Sequence, residues 1–240
     1  MIYLGAMGWS YKFWPIYGEA PSSEYLTYYA EHFNSVEVNS TFYRMPRKTS
    51  VANWRDQTPD EFRFSVKIPK SISHSKALEY DIEKLDVFLD HINTFGEKLG
   101  PLLLQLPPKL TPKYTEQLDL ILTQLNKYRT AVEFRHKDWF TETTYDILRE
   151  YNAALAYVEH PWLPTAMVQT ADFIYIRLEG DRRKIDGEKG VVEHDRTEDN
   201  QRWAMLMNNT TKDTYLYVSK YYSGYPPSDI QTITSKLPRY

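Results

Sequence analysis

Residues 130–136, TAVEFRH, place three ionisable side chains at the end of a stretch that otherwise resembles a buried strand. Successive strand residues point to opposite faces, so Val132 and Phe134 would share one face and Glu133 and Arg135 the other. A protein interior excludes charges that are neither paired nor solvated. The stretch therefore predicts a core strand whose C-terminal end becomes part of a ligand site.

Eight such strand-like stretches occur along the chain, and an amphipathic helical segment separates most of them. They are 2–7, 35–39, 62–68, 101–106, 131–135, 154–159, 173–179 and 214–220. Alternating strands and helices indicate parallel βα units. Their number in 240 residues predicts an α/β fold, a TIM (β/α)8 barrel that forms a single domain over residues 1–240. A doubly wound open sheet is the alternative.

One crossover departs from this pattern. Residues 160–171, HPWLPTAMVQTA, contain two prolines and are short for a helix. Proline removes a backbone donor and disrupts a helix interior. We therefore predict an irregular connection between strands six and seven.

Composition excludes several classes of site. The chain has no cysteine, so disulfides, thiolate metal sites and a cysteine nucleophile are impossible. Its formal net charge of −3 does not favour nucleic-acid binding, although it does not exclude a local basic cleft. The sequence shows neither a secretory signal pattern nor a long apolar run. We expect a cytoplasmic protein that does not associate with membranes.

Charged side chains lie on the inner face of several predicted strands, near their C-terminal ends. They are Glu37, Lys67, Glu133, Arg135 and Arg177. TIM barrels place ligand sites at that mouth, so we predict a site there. The alternative is a structural network that fills the barrel, with Glu133 paired to Arg177 and Glu37 paired to Lys67.

Six motifs occur in an order that resembles the YecE-like family, also called domain of unknown function seventy-two. They are GWSYKFW, FNSVEVNSTFYRMP, FRFSVKIP, LGPLLLQLPP, AVEFRHKDWF and TADFIYIRLEG. The resemblance runs from about Gly5 to Ile230. It implies a TIM barrel and implies no activity; a suggested relation to endonuclease-IV-like and xylose-isomerase-like barrels is an analogy of fold. The chain departs from the family where Glu179 replaces its usual histidine, and where Ser219 and Lys220 replace an Asn-Asn pair.

The predicted site suggests acid–base chemistry. Glu37 and Glu133 form a candidate acid–base pair, with His136 as a third catalytic candidate. His74 follows strand three as His136 follows strand five, and either could be a general acid or base near neutral pH. Arginine and lysine suit phosphate or carboxylate, and aromatic rings stack on sugars or bases. The ligand-binding candidates are Trp9, Tyr11, Asn39, Tyr43, Lys67, Gln105, Arg135 and Arg177.

The functional hypothesis is an enzyme with acid–base or hydrolytic chemistry. Its partner would be a small-molecule or phosphate-containing ligand that is phosphorylated, nucleotide-like or sugar-like. A non-catalytic nucleic-acid or nucleotide binder and an interaction scaffold are the alternatives. The strand ends offer too few histidines and carboxylates for a metal cluster. No cofactor is required by the sequence, and a single divalent metal on Glu37 or Glu133 stays open.

Overall fold

A computed structural model describes residues 1–238 of the chain and shows eight parallel strands. They are β1 Ile2–Ala6, β2 Ser35–Val38, β3 Arg63–Lys67, β4 Leu99–Gln105, β5 Thr130–Glu133, β6 Ala154–Glu159, β7 Phe173–Leu178 and β8 Asp213–Val218. Hydrogen bonds join them in the order β1-β8-β7-β6-β5-β4-β3-β2. The sheet curls into a nearly closed barrel, so the predicted TIM-barrel fold is confirmed.

Helices surround this sheet. The α-helices are α1 Tyr25–His32, α2 Ser40–Tyr43, α3 Lys48–Asp56, α4 Lys70–Ser73, α5 Ile82–Ile92, α6 Thr115–Gln124, α7 Glu142–Glu150, α8 Thr197–Asn208, α9 Lys220–Ser223 and α10 Pro226–Thr234. Short 3-10 helices are Pro15–Tyr17, Ser22–Glu24, Lys76–Leu78, Asn93–Lys98, Pro112–Tyr114 and Lys137–Trp139. Within residues 1–238 no helix connects β6 to β7, which confirms the irregular crossover. In the same range, no helix has the length and apolar character needed to cross a membrane.

The strands divide their side chains between two apolar layers, as the alternation predicts. Outward-facing residues such as Val36, Val66 and Val132 join one buried cluster with helix residues such as Phe88. A second cluster fills the barrel interior and includes Leu103, Ala131, Tyr175 and Tyr217. Inside the barrel, the hydroxyls of Tyr175 and Ser65 lie 2.6 Å apart, and those of Tyr217 and Ser35 lie 2.7 Å apart. The interior is thus a packed core whose polar atoms are paired.

The ends of the sheet, β1 and β2, meet at a seam bridged by side chains. The amide of Leu4 donates to Asn34 Oδ1 at 2.8 Å, and the amide of Ala6 donates to the Tyr29 hydroxyl at 2.7 Å. That hydroxyl donates in turn to the Ser35 carbonyl at 2.9 Å. A Cβ atom on Gly5 would lie 2.0 Å from the Ser35 carbonyl oxygen. Glycine therefore permits the close approach, and Tyr29 supplies hydrogen bonds that a strand ladder would otherwise give.

We expect Tyr29→Phe to lower the free energy of unfolding by roughly 1–3 kcal/mol, because the buried amide of Ala6 loses its acceptor. Urea denaturation measures the change. Tyr28→Phe is the matched control, because Tyr28 is half-buried on the same helix and its hydroxyl has no hydrogen bond within residues 1–238. It should stay within about 0.5 kcal/mol of the parent. Equal losses in both variants would show that the hydroxyl bridge does not hold the seam.

Candidate functional site

A cavity of about 730 Å³ opens at the C-terminal ends of the strands. Seven of the predicted ligand-binding residues line it: Tyr11, Asn39, Tyr43, Lys67, Gln105, Arg135 and Arg177. They come from widely separated parts of the sequence, and the parallel barrel places their strand ends at one mouth. The structure therefore brings most of the predicted site together.

Arg177, near the end of β7, is the centre of a buried ionic network formed with Arg135, Glu37, Glu133 and Glu179. Its Nε and Nη2 atoms donate to the two oxygens of Glu37, each at 2.9 Å. Its Nη1 donates to Glu133 and to Glu179. Arg177 is 2% exposed, and Glu37 and Glu133 are fully buried. A buried charge of this kind is tolerated because it is paired and hydrogen-bonded.

Further donors complete the coordination of the two buried carboxylates. Tyr175 and Asn39 donate to Glu37 at 2.7 and 2.8 Å. Gln105 donates to Glu133 at 2.6 Å, and Arg135 Nε donates to the same oxygen. Arg135 Nη2 reaches Glu179 at 2.7 Å. Neither Glu37 nor Glu133 is among the residues that line the cavity.

Glu133 and Glu179 stay ionised at neutral pH. Burial raises the pKa of Glu133, but Arg135 and Arg177 outweigh it and hold that pKa well below its usual range. The pKa of Glu179 is lowered in the same way, with burial opposed by Arg177 and Arg135. Glu37 pairs with Arg177, so the suggested Glu37–Lys67 pair was wrong, whereas the Glu133–Arg177 pair is present.

Lys67, at the end of β3, faces the cavity without a counter-ion. Its side chain is buried, with only 9% of the residue exposed, and its Nζ has no hydrogen bond or ion pair among residues 1–238. The Nζ lies 4.3 Å from the centre of the Phe42 ring. Burial, together with the nearby Arg177 cation, lowers the pKa of Lys67 to about 8. Glu37 and Glu133 bind other donors with both oxygens, and within residues 1–238 no carboxylate lies within ion-pair distance of this amine, which therefore stands as a free polar group on the cavity floor.

Two histidines also line the cavity: His74, an acid–base candidate from the sequence, and His160, which the sequence did not single out. His74 Nδ1 lies 3.0 Å from the Ser73 hydroxyl. Burial, with the Lys67 cation, lowers the pKa of His74 to about 4. Burial, with Arg135, also lowers the pKa of His160. Both rings are therefore neutral near pH 7. The signal that could have identified His160 is its position after the end of β6, which corresponds to that of His74 after β3.

Two predicted site residues lie elsewhere. His136 Nδ1 accepts the amide of Asp138 at 3.3 Å and caps the short 3-10 helix that follows β5, so it does not line the cavity. The ring of Trp9 packs edge-on against Trp54 with 5.4 Å between centroids, in the layer outside the barrel. His136 thus makes a local capping bond where a catalytic role was expected, and Trp9 makes an aromatic contact where a ligand-binding role was expected.

The rim of the cavity is aromatic and partly cationic. Tyr43 is 84% exposed and Trp162 is 54% exposed. Lys220 also lines the cavity, and its Nζ pairs with Glu188 of the segment after β7 at 2.6 Å. Glu179, where the sequence departs from the YecE-like pattern, lines the cavity and is paired with Arg135 and Arg177 of the network.

The described part of the chain, residues 1–238, contains no group of three histidine or carboxylate side chains arranged to hold a metal ion. The oxygens of Glu37 and Glu133, which a single divalent metal would need, accept N–H and O–H donors from their neighbours. The cavity lining itself combines cationic groups, amides, imidazoles and aromatic rings with one carboxylate, Glu179.

Comparisons with known proteins agree with this architecture. The family described as "Protein of unknown function DUF72" matches residues 3–239. The UPF0759 protein YecE of Escherichia coli (strain K12) is 36% identical over 143 residues, which are 59% of this chain and 51% of that protein. The UPF0759 protein YunF of Bacillus subtilis (strain 168) is 28% identical over 154 residues, 61% of this chain and 55% of that protein. The matched region thus spans about half the length of these curated relatives.

Solved structures resemble the whole barrel. A DUF72 family protein of Enterococcus faecalis V583 superposes with a TM-score of 0.85 at 22% identity, covering 100% of this chain and 97% of that one. A DUF72 family protein of Thermotoga maritima MSB8 gives a TM-score of 0.80 at 26% identity, covering 98% of each chain. These likenesses establish the fold; activity has to be argued from the site.

Proposed function

The chain belongs to the DUF72 family, and we propose that it is a TIM-barrel enzyme that acts on a small polar ligand carrying an anionic group. The ligand would be phosphorylated, nucleotide-like or sugar-like and would bind at the C-terminal mouth. The observation that supports this proposal is the unpaired Lys67 ammonium on the cavity floor.

The position of the Lys67 ammonium supports an anionic group on the ligand, because it faces the cavity with no ion-pair partner within residues 1–238. Lys67 keeps most of its positive charge near pH 7, because its pKa of about 8 lies above that pH. Arg135 and Arg177 already donate to network carboxylates and are poorly placed to form a phosphate clamp. A phosphate or carboxylate oxygen would therefore find its main charged partner in Lys67.

Acid–base chemistry would fall to the cavity histidines. His74 is neutral near pH 7, and its Nε2 has no hydrogen-bond partner in the described range 1–238. A neutral imidazole accepts a proton from a bound ligand and can return it in a later step. In this proposal Glu37 and Glu133 hold Arg177 and do not transfer protons themselves, which replaces the acid–base pair expected from the sequence.

A thermal-shift series tests the proposal with inorganic phosphate, pyrophosphate, AMP and glucose 6-phosphate. A probe at a hundred times its dissociation constant should add about 2.7 kcal/mol of stability, or roughly 5–10 °C for a chain of this size. Lys67→Met, compared with its own ligand-free melting temperature, should lose the shift. Lys70→Met is the matched control, because Lys70 is exposed three residues later. Shifts that survive in Lys67→Met would contradict the assignment.

A second candidate, non-catalytic binding of a nucleotide or single-stranded nucleic acid, is favoured by the exposed rings of Tyr43 and Trp162. Such rings stack on bases. Oligonucleotide affinity that falls steeply with salt would support it. With a ligand identified by the shift series, His74→Asn separates the two candidates: an enzyme loses turnover and keeps binding, whereas a binding protein has no turnover to lose.

A further inference from the structure

The amine of Lys67 combines three properties that are rarely found in one lysine. Its side chain is buried, it faces a cavity, and its Nζ makes no ion pair within residues 1–238. Desolvation and a neighbouring cation are the two conditions that turn a lysine into a nucleophile. Here burial supplies the first condition and Arg177 supplies the second.

We propose that Lys67 is a covalent nucleophile, and that it forms a Schiff base with a ligand that carries an aldehyde or ketone beside its anionic group. This inference rests on the proposed function, because the ligand would occupy the same cavity. It adds the substrate class, an anionic carbonyl compound, and assigns the amine a bond-forming role.

The ionic network keeps the amine free. Each of the three network carboxylates, Glu37, Glu133 and Glu179, accepts a hydrogen bond from Arg177, and Arg135 donates to the last two. A lysine beside free carboxylates would form an ion pair and keep its proton. Here other donors occupy both oxygens of Glu37 and of Glu133, and both arginines hold Oε1 of Glu179. Within residues 1–238 no carboxylate lies within ion-pair distance of the Lys67 amine.

The neighbours of the amine suit a bound carbonyl compound. The centre of the Phe42 ring lies 4.3 Å from the Lys67 ammonium and 4.9 Å from the centre of the His74 ring. The amine and a neutral imidazole therefore share one aromatic neighbour at the cavity wall. His74, Gln105 and Asn39 line the same cavity as polar partners for the carbonyl oxygen of a ligand.

The reaction balances without any further reactant. The ammonium releases one proton to the solvent in the open cavity, and the neutral amine attacks the carbonyl carbon to form a C–N bond. A proton passes from the attacking nitrogen to the carbonyl oxygen and gives a neutral carbinolamine. The carbinolamine hydroxyl takes back one proton from solvent and leaves as water, which gives a protonated Schiff base. One ammonium and one carbonyl compound thus yield one iminium ion and one water, with no change in oxidation state.

The amine is available near neutral pH. With a pKa of about 8, about a tenth of Lys67 is neutral at pH 7, on the order of a hundredfold more than for a lysine with its usual pKa of about 10.4. Exposed lysines such as Lys70 and Lys76 provide the comparison within the same chain.

Reductive trapping tests the inference. The full chain is incubated at pH 7.5 with glyoxylate, an anionic aldehyde, and sodium cyanoborohydride, and the modified lysines are located by peptide mass spectrometry. We expect the Lys67 adduct to form at least tenfold faster than the adduct of any other lysine. Lys67→Met should lose this fast phase and Lys70→Met should keep it. Propionaldehyde, a neutral aldehyde, should label Lys67 more slowly than glyoxylate.

Labelling in 8 M urea, the second arm of the test, does not depend on how any variant folds. The preference for Lys67 should disappear there, because the unfolded chain exposes every lysine equally. Comparable rates at all lysines in the folded chain would overturn the inference. Stabilisation by phosphate that depends on Lys67, without a Lys67 adduct, would refute the covalent role and leave the proposed function standing. A selective Lys67 adduct without stabilisation by any anion would refute the proposed binding of an anionic ligand and leave the covalent role of Lys67 standing.

Discussion

Arg177→Met should lower the free energy of unfolding by about 3–5 kcal/mol at pH 7, because removing one partner of a buried ion pair leaves the other charge uncompensated. Glu37 and Glu133 are fully buried, and Arg177 donates to both of them. Methionine fills a similar length but offers no N–H group. The loss would be a large part of the 5–15 kcal/mol that stabilises a typical domain. Urea denaturation followed by circular dichroism measures it.

The control for this prediction also removes the two carboxylate charges that Arg177→Met leaves unpaired. Adding Glu37→Gln and Glu133→Gln to Arg177→Met should recover much of the loss, because neutral groups cost less to bury than ions. The deficit of the single variant should also shrink as the pH falls toward 5. An unpaired buried carboxyl has a raised pKa in the folded state, so the folded variant binds more protons than the unfolded chain and gains stability on acidification. A loss below about 1 kcal/mol at pH 7 would mean that water reaches these carboxylates.

Gly5→Ala should destabilise the barrel by about 3 kcal/mol or more, because overpacking against rigid backbone cannot be relieved by a side-chain rotation. The new Cβ would lie 2.0 Å from the Ser35 carbonyl oxygen, so β1 and β2 would have to separate. That movement would also strain the hydrogen bonds that Tyr29 makes to Ala6 and Ser35. Urea denaturation and hydrogen exchange at the Ala6 amide provide the two measurements.

Gly100→Ala is the matched control for the seam. Gly100 also lies in a strand, and its added Cβ would meet the Phe64 carbonyl oxygen at 3.1 Å, a contact that a shift of a few tenths of an ångström relieves. We expect its loss to be at most about 1 kcal/mol, and exchange of the Ala6 amide to stay at the parent rate. Equal destabilisation by the two substitutions would show that the seam is no tighter than the rest of the sheet.

The barrel could be predicted from the sequence because its signals are local. Each strand shows its period-two alternation within a few residues, and Val36 and Val132 fall on the helix-facing side as that alternation requires. The two prolines of 160–171 likewise indicated an irregular crossover. The seam was not predicted, because the bridge from Tyr29 to Ala6 and Ser35 depends on where the first helix packs.

The sequence predicted which charged residues lie at the site, but it did not predict all of the ion pairs among them. Strand periodicity placed Glu37, Lys67, Glu133 and Arg177 at one mouth, but it carries no information about which cation meets which carboxylate across the barrel. Arg177 takes Glu37 because its planar group donates to both oxygens at once, which an ammonium cannot do. In the sequence, His136 could not be distinguished from its neighbours Glu133 and Arg135 as a site residue. In the structure the chain turns after β5, and the His136 ring caps the short 3-10 helix that follows.

The connection between β6 and β7 has a consequence for how long a ligand stays bound. Residues 161–169 run along the mouth with few and long ties, such as the Leu163 amide to the His160 carbonyl at 3.4 Å and the Thr165 hydroxyl to the Val158 carbonyl at 3.2 Å. Firm anchoring returns at Thr170, which bonds Ala153 and Leu155 at 2.7 Å each. We expect this segment to open at a local free energy below that of global unfolding, because few hydrogen bonds hold it. Such opening would let a molecule enter or leave the cavity without any disruption of the sheet.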